Sequence, residues 1–334
     1  MRIMSCDSVY TQAIAKAAAG DGGWVTRTGE DRVARVLAQR FGTWDSLGFA
    51  CRALGHDATD WLLGAVSDDA DDAALMAPGF DVKIVQDVGR RSPEFWRAVR
   101  DTCGALVGIV NHKHPGLETL RAFSLTTTAF PHQVAEIEAA GIPCRYLPCA
   151  FDPRHLNDAV GPRDLPVTFC GSLGFGNVWD AGTHAISAVA ERVPGFHWWG
   201  PRVGRLTDGL QKTWRGEVYG RAYVEILRRS VLAINRQGST TVRQTTNMRN
   251  FEATGCGAVL LTEASENLGT MFSPWEECVP FGDPNELVTH VRQLLIQPSL
   301  TTKIAAAGQR RTLESHTYAR RAEVLLEWIR DVRR

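Results

Sequence analysis

Two stretches of this sequence bring anion-binding groups close to a group that binds hydroxyls. The first is Asn247-Met248-Arg249-Asn250-Phe251-Glu252-Ala253-Thr254-Gly255-Cys256-Gly257, followed by the apolar run Ala258-Val259-Leu260-Leu261-Thr262. The pattern predicts a short helix stopped at Gly257 and then a buried strand. A helix that opens on Asn247, Met248 and Arg249 offers backbone N–H groups, a positive dipole end and a guanidinium fork, all suited to a phosphate. Glu252 falls one turn later, where a carboxylate reaches what a phosphate carries behind it, such as a ribose diol. The second stretch is Gly171-Ser172-Leu173-Gly174-Phe175-Gly176-Asn177, after the strand-like run Val167–Cys170 and before a helix at 180–193. A glycine loop in that context lets the backbone approach a diphosphate. Each stretch has a simpler rival, a packed surface helix with a solvated Glu252 and a structural turn. Arginine, helix start, carboxylate and glycine loop together favour a nucleoside diphosphate.

Other residues are candidates by position. His112, His114 and His132 each follow a predicted strand, as does Asp87. The C-terminal ends of strands face the crevice of open α/β sheets, so each is a candidate base or sugar contact as well as an ordinary loop residue. Asn235 ends the strand Val231–Asn235, next to the nucleotide segment. Tyr219, within Gly216–Gly220, and Trp198-Trp199-Gly200 are placed to border a nucleobase; core packing explains the two Trp equally well. Asp68-Asp69-Ala70-Asp71-Asp72 contains an Asp-x-Asp of the kind that holds Mg²⁺ or Mn²⁺. So dense a run of carboxylates reads more simply as a solvated loop, and no metal site is predicted.

The elements needed to position these residues fall into two halves. Short apolar runs alternate with longer amphipathic ones, which favours parallel sheets. In the first half the strands are Met1–Ser5, Ala58–Val66, Val82–Gln86, Leu106–Val110, Phe123–Thr128 and Cys144–Leu147. Helices are predicted over Asp31–Phe41, Trp44–Leu54 and Gln133–Ala140. Residues 152–166 hold three prolines and no apolar period, and mark the domain boundary. The second half adds strand Phe196–Trp199 and helix Tyr223–Arg229. Asp283-Pro284-Asn285-Glu286 opens a further helix as a capping box. Residues 300–313 and 317–332 are helical.

With 334 residues the chain fits two ordinary α/β domains. Its 37 basic and 37 acidic residues cancel, and no run of basic residues marks a duplex-binding surface. Eight scattered Cys form no Cys-x-x-Cys pair, so reduced, buried thiols are expected. The sequence starts without a signal pattern, and no apolar run approaches the length of a membrane span. A cytoplasmic protein is expected.

The motif segment resembles the donor-binding segment of the GT-B glycosyltransferases, in particular the CgeB-like, spore-maturation branch of the group 1 clan. Phe281-Gly282-Asp283-Pro284-Asn285-Glu286-Leu287, Ile304–Arg311 and Glu314-Ser315-His316-Thr317-Tyr318 are similar to the closing stretch of these enzymes. Leu125–His132, Ala139-Ala140-Gly141-Ile142 and Leu147–Asp152 look like the end of their N-terminal domain, and Gly171-Ser172-Leu173 like their inter-domain glycine loop. The similarity spans roughly residues 80–330. It implies two facing Rossmann-like domains with a nucleotide-sugar cleft between them: an acceptor domain at 1–155, a donor domain at 165–315, and a helix at 316–334 packing back across the junction. It also implies transfer of a sugar from a nucleotide sugar, with uridine diphosphate the commonest carrier, retention of configuration, and no metal or other cofactor. Gly171, Ser172, Tyr219, Asn235, Asn247, Met248 and Arg249 would hold the nucleotide diphosphate and Glu252 the ribose. Arg249, His132, His112 and Asp87 would be the catalytic candidates.

Two positions depart from the family. A Glu eight residues before the motif Glu is Gln244 here, and no basic residue lies within Phe175–Ala181. Gln244 keeps a non-catalytic nucleotide-sugar-binding protein in play, and a nucleotide-sugar epimerase on the same architecture is a second rival. The acceptor is open among glycan, lipid, peptide, natural product and modified nucleobase.

Overall fold

The computed structural model describes residues 1–19, 23–38, 44–175, 180–237 and 244–333. The chain divides into two compact units, Met1–Pro148 with Tyr318–Arg334, and Cys149–Thr317.

The first unit opens with β1 (Arg2–Ser8), α1 (Thr11–Ala19), α2 (Gly29–Leu37) and α3 (Ser46–Ala53). It continues through β2 (Asp57–Leu63), α4 (Asp68–Met76), β3 (Phe80–Val85), α5 (Pro93–Arg100), β4 (Cys103–Val110), α6 (Leu117–Leu120), β5 (Leu125–Thr128), α7 (Pro131–Ala139) and β6 (Cys144–Tyr146). The strands form one parallel sheet in the order β2-β1-β3-β4-β5-β6. Strands covered on both faces read as nearly unbroken apolar runs, as Ala105–Val110 does. One face is closed by the last helix of the chain, Tyr318–Val332. Its Ala322, Leu325, Leu326 and Ile329 share a core with Ile3, Ile84 and Val107.

Asp68–Asp72 corrects the solvated-loop expectation. These residues begin α4, where Ser67 Oγ accepts from Ala70 N at 3.3 Å and the acids favour the positive end of the helix. Asp71 is fully buried and accepts from Trp61 Nε1 at 3.0 Å and Gly64 N at 2.7 Å. Asp68 and Asp72 face Arg91 at 3.0 and 2.7 Å. Helix α5 was not predicted, although Ser92 caps it and Pro93 occupies its first turn. The helix expected over Asp31–Phe41 spans Gly29–Leu37, and Phe41 lies outside the described residues.

The second unit runs β7 (Leu165–Cys170), α8 (Asp180–Arg192), β8 (Phe196–Trp199), α9 (Asp208–Thr213), α10 (Gly220–Arg229), β9 (Ser230–Asn235) and α11 (Arg249–Gly255). β10 (Val259–Glu263), β11 (Val279–Phe281), α12 (Pro284–Ile296) and α13 (Pro298–Ser315) complete it, and α14 is the returning helix Tyr318–Val332. The parallel sheet has the order β11-β10-β9-β7-β8. Gly257 ends α11 at φ +76°, a left-handed conformation that costs glycine nothing.

The expected boundary at 152–166 is corrected to Pro148/Cys149. Pro153 opens a short 3-10 turn and Pro166 lies within β7, and the stretch is anchored to the second unit. Arg163 donates Nη1 to Ser230 O and Nη2 to Cys256 O, both at 2.7 Å. All eight cysteines are free thiols. Among the described residues no helix is long and apolar enough to cross a membrane.

Candidate nucleotide site

In the second unit the chain leaves β7 for β8 on one side, then crosses back to place β9 on the other. The carboxyl ends of β7 and β9 therefore flank a topological switch point, the usual ligand crevice of an open parallel sheet. Three connected segments meet there: Cys170-Gly171-Ser172 after β7, Asn235-Arg236-Gln237 after β9, and residues 245–252 around the start of α11.

Asparagines fix the last two segments to each other. Asn247 Oδ1 accepts from Arg249 N at 3.0 Å, while its Nδ2 donates to Asn235 Oδ1 at 2.9 Å and Arg236 O at 3.0 Å. The buried Asn235 donates onward to Asn250 Oδ1 at 2.7 Å and Thr262 Oγ1 at 3.2 Å. Such a satisfied buried network holds one geometry. The side chains of Asn247 and Asn235, expected to contact a nucleotide, are here bonded to the protein and shape the segment that leads into α11. Met248 is the N-cap residue of α11.

Arg249 projects from the first turn of α11 and donates Nε to Cys170 O at 2.6 Å. This bond joins the motif helix to the glycine loop, two features predicted separately. Gly171 N donates to Trp199 O at 2.8 Å, a main-chain tie from the glycine loop to β8. Ser172 O accepts from Arg236 Nη2. Gly176 and Asn177, the far end of the predicted loop, lie outside the described residues.

Glu252 is 8% exposed and accepts from Tyr223 Oη at 2.5 Å. Burial raises its carboxyl above the usual range, and Arg249 and Tyr223 oppose that rise by favouring the charged form. Burial and then the Glu252 charge push the Tyr223 phenol well up. A buried carboxylate between a guanidinium and a phenol is not a solvated helix residue.

Tyr219 is the N-cap residue of α10 and donates Oη to Glu217 at 2.6 Å; burial, then Glu217, pushes its phenol up to about 12. Trp198 is wholly buried and donates Nε1 to Leu210 O at 2.8 Å, which makes it a core residue. Arg236 and Tyr223 were missed in the sequence. Arg236 carried one signal, its place immediately past a strand.

The candidates of the first unit lie at the carboxyl ends of its own sheet. Asp87 Oδ2 accepts from Ser8 Oγ at 2.6 Å, at the switch between β1 and β3. Asp7, also missed, accepts from Ser8 N at 2.8 Å. Burial foremost, and the charge of Asp87, raise it to about 7. The histidines stand farther along, past β4 and β5. His112 Nδ1 lies 2.8 Å from Lys113 O, and His112 O accepts from Gln133 Nε2 at 3.3 Å, next to His132. His114 Nδ1 accepts from Gly116 N at 3.2 Å, so in the neutral ring Nε2 carries the proton toward Glu136 Oε1 at 3.0 Å. Among the described residues no cluster of three or more His, Cys, Asp or Glu side chains is arranged to hold a metal ion.

Comparison with known proteins sets a class beside this geometry. The family model described as glycosyl transferase-like matches residues 183–327. No curated protein matches the sequence. Among solved structures, the sucrose-phosphate synthase (tll1590) from Thermosynechococcus elongatus is similar at TM-score 0.61 and 14% identity, covering 99% of each chain. Alr3699/HepE of Anabaena, solved in complex with UDP and glucose, is similar at TM-score 0.59 and 12% identity, over 99% of this chain and 100% of that one. AviGT4, a glycosyltransferase involved in avilamycin A biosynthesis, is similar at TM-score 0.57 and 15% identity, over 86% and 88%. The architecture is GT-B, two parallel-sheet α/β domains. With the glycosyl transferase-like match, which runs from α8 of the second unit into α14, it supports a glycosyltransferase.

Proposed function

We propose that the chain transfers a sugar from a nucleoside diphosphate sugar to an acceptor, and that the second unit holds the donor. One observation carries the reading: at the switch point, Arg249 meets the glycine-loop peptide with the buried Glu252 one turn behind it. The diphosphate lies against Gly171, Ser172, Met248 N–H and Arg249, and the ribose diol against Glu252. Solved relatives named as complexes with UDP and with UDP-glucose support a uridine diphosphate carrier.

In the reaction, the bond between the anomeric carbon and the phosphate oxygen breaks, and the nucleoside diphosphate leaves with the electron pair. The acceptor's nucleophilic atom bonds to that carbon on the face the diphosphate leaves, and its proton passes to the departing phosphate oxygen. Negative charge grows on the departing diphosphate, where fixed guanidinium and N–H donors favour it. The transfer on this reading is metal-independent and retaining, in keeping with the CgeB-like resemblance, and needs no cofactor beyond the donor substrate. Asp87, His112 and His132 are the groups of the first unit assigned to the acceptor.

A thermal-shift series with nucleoside diphosphates and nucleotide sugars tests the reading. A ligand at ~100 times its Kd stabilises the folded state by about 2.7 kcal/mol. A cognate donor is expected to raise Tm, and product analysis by NMR then reads the configuration at the anomeric carbon. No shift with any nucleoside diphosphate overturns the proposal.

A further inference from the structure

The glycine loop carries no cation between Gly171 and Phe175. Two guanidiniums reach it from later in the chain. Arg249 donates to Cys170 O, and Arg236 donates to Ser172 O. The two carbonyls bracket Gly171, so both cations grip one short peptide.

The fold makes room for Arg236. Its side chain is 7% exposed and crosses the first turn of α8 at Gly182. A Cβ at Gly182 would lie 2.2 Å from Arg236 Cδ and 3.1 Å from its Cβ. Its guanidinium carbon stands 5.8 Å from the centre of the Phe169 ring. Burial first, and then the charge of Arg249, lower Arg236 to about 10, with Glu263 acting in the opposite sense. The carboxylates nearby have other partners: Glu263 accepts from Gln237 N at 2.9 Å and Glu252 from Tyr223. A buried guanidinium and a half-buried one on one peptide repel each other, and a multivalent anion beside both relieves that repulsion.

We infer that Arg236 is a second diphosphate-binding residue, holding the donor's diphosphate jointly with Arg249 at the Gly171–Ser172 peptide. The inference rests on the nucleotide reading above. It assigns the second cation of the site to the end of β9, whereas the loop after β7 supplies only backbone.

The test is calorimetric titration of the full chain with inorganic pyrophosphate, then with uridine 5′-diphosphate and uridine. The variants are Arg236→Gln, Arg236→Lys, Gly182→Ala and Arg249→Gln, each checked for folding by circular dichroism. A hydrogen bond to a charged group is worth about 1.5–3 kcal/mol, so Arg236→Gln is expected to weaken pyrophosphate and uridine 5′-diphosphate by about 10- to 100-fold. Uridine should bind wild type and Arg236→Gln alike. Arg236→Lys should recover part of the loss, because it keeps the charge and loses the fork. Gly182→Ala should weaken pyrophosphate without removing a charge, by displacing the Arg236 side chain. If Arg249→Gln loses pyrophosphate while Arg236→Gln binds it like wild type, the inference falls and the nucleotide reading stands. If wild type binds none of the three probes, both fall. Should Arg236→Gln fail to fold, wild-type pyrophosphate affinity in both Arg236→Lys and Gly182→Ala overturns the inference.

Discussion

Glu252→Gln should separate stability from function. The carboxylate is 8% exposed, and burial disfavours its charged form more than Arg249 and the 2.5 Å bond from Tyr223 favour it. Gln keeps the shape, and its amide oxygen still accepts from Tyr223. The ligand-free variant should therefore be at least as stable as wild type near neutral pH. The sign follows from linkage. A carboxyl raised in the folded state contributes stability at low pH that is lost as pH rises through the folded value. Gln removes that loss, so the variant's advantage in Tm should grow with pH across the carboxylate range and shrink on the acid side. For a unit of this size each kcal/mol moves Tm by about 2–4 °C. Donor binding should move the other way. The ribose contact is common to ground and transition states, so its loss raises KM more than it lowers kcat. We expect a donor KM about tenfold higher, about 1.4 kcal/mol. A 2′-deoxy donor should bind wild type more weakly and the variant almost unchanged. Calorimetric melting over a pH series and initial rates with both donors measure these effects. A variant that melts lower at neutral pH and keeps wild-type donor KM refutes the reasoning.

Other outcomes are equally direct. Arg249→Ala should weaken nucleoside diphosphate binding by about 1.5–3 kcal/mol in isothermal titration. Transfer should persist in excess chelator, since the guanidiniums supply the charge; loss restored by Mn²⁺ would point to a metal-dependent enzyme. Asp71→Asn should destabilise the first unit by about 1–3 kcal/mol in urea melts, because one amide oxygen cannot replace a carboxylate that takes both Trp61 Nε1 and Gly64 N. Asp7 is raised to about 7, so its contribution to stability is present at low pH and lost as pH rises through 7. In Asp7→Asn, the fall in Tm between about pH 4 and pH 7 should be smaller.

The sheets were legible in the sequence because parallel strands covered on both faces leave apolar runs such as Leu106–Val110. Gly257 and the Asp283 capping box marked helix ends through local chemistry, and Asp283 Oδ1 does accept from Asn285 N and Glu286 N at 2.7 and 3.0 Å. What stayed hidden depends on partners distant in sequence. Asp71 is buried because Trp61 and Gly64 turn toward it, and no period of five residues encodes that. Tyr223 and Glu252 are 29 positions apart, and only the packing of α10 on α11 joins them. Arg236 is one arginine among 32 and acquires its setting from Gly182 and Ser172. The asparagines were read as ligand donors because their amides suit that use; their mutual bonds follow from β9 lying beside β10 and α11.

The return of α14 to the first unit bears on the order in which the protein is made. Domains generally fold as units during synthesis, the N-terminal one first. Here the apolar face formed by Ile3, Ile84 and Val107 is covered by Ala322, Leu325, Leu326 and Ile329, which are translated after both sheets. The second unit is continuous in sequence and is complete before them. On the ribosome it is the later-encoded unit that can close first, while the earlier one waits with an uncovered sheet face until α14 has emerged.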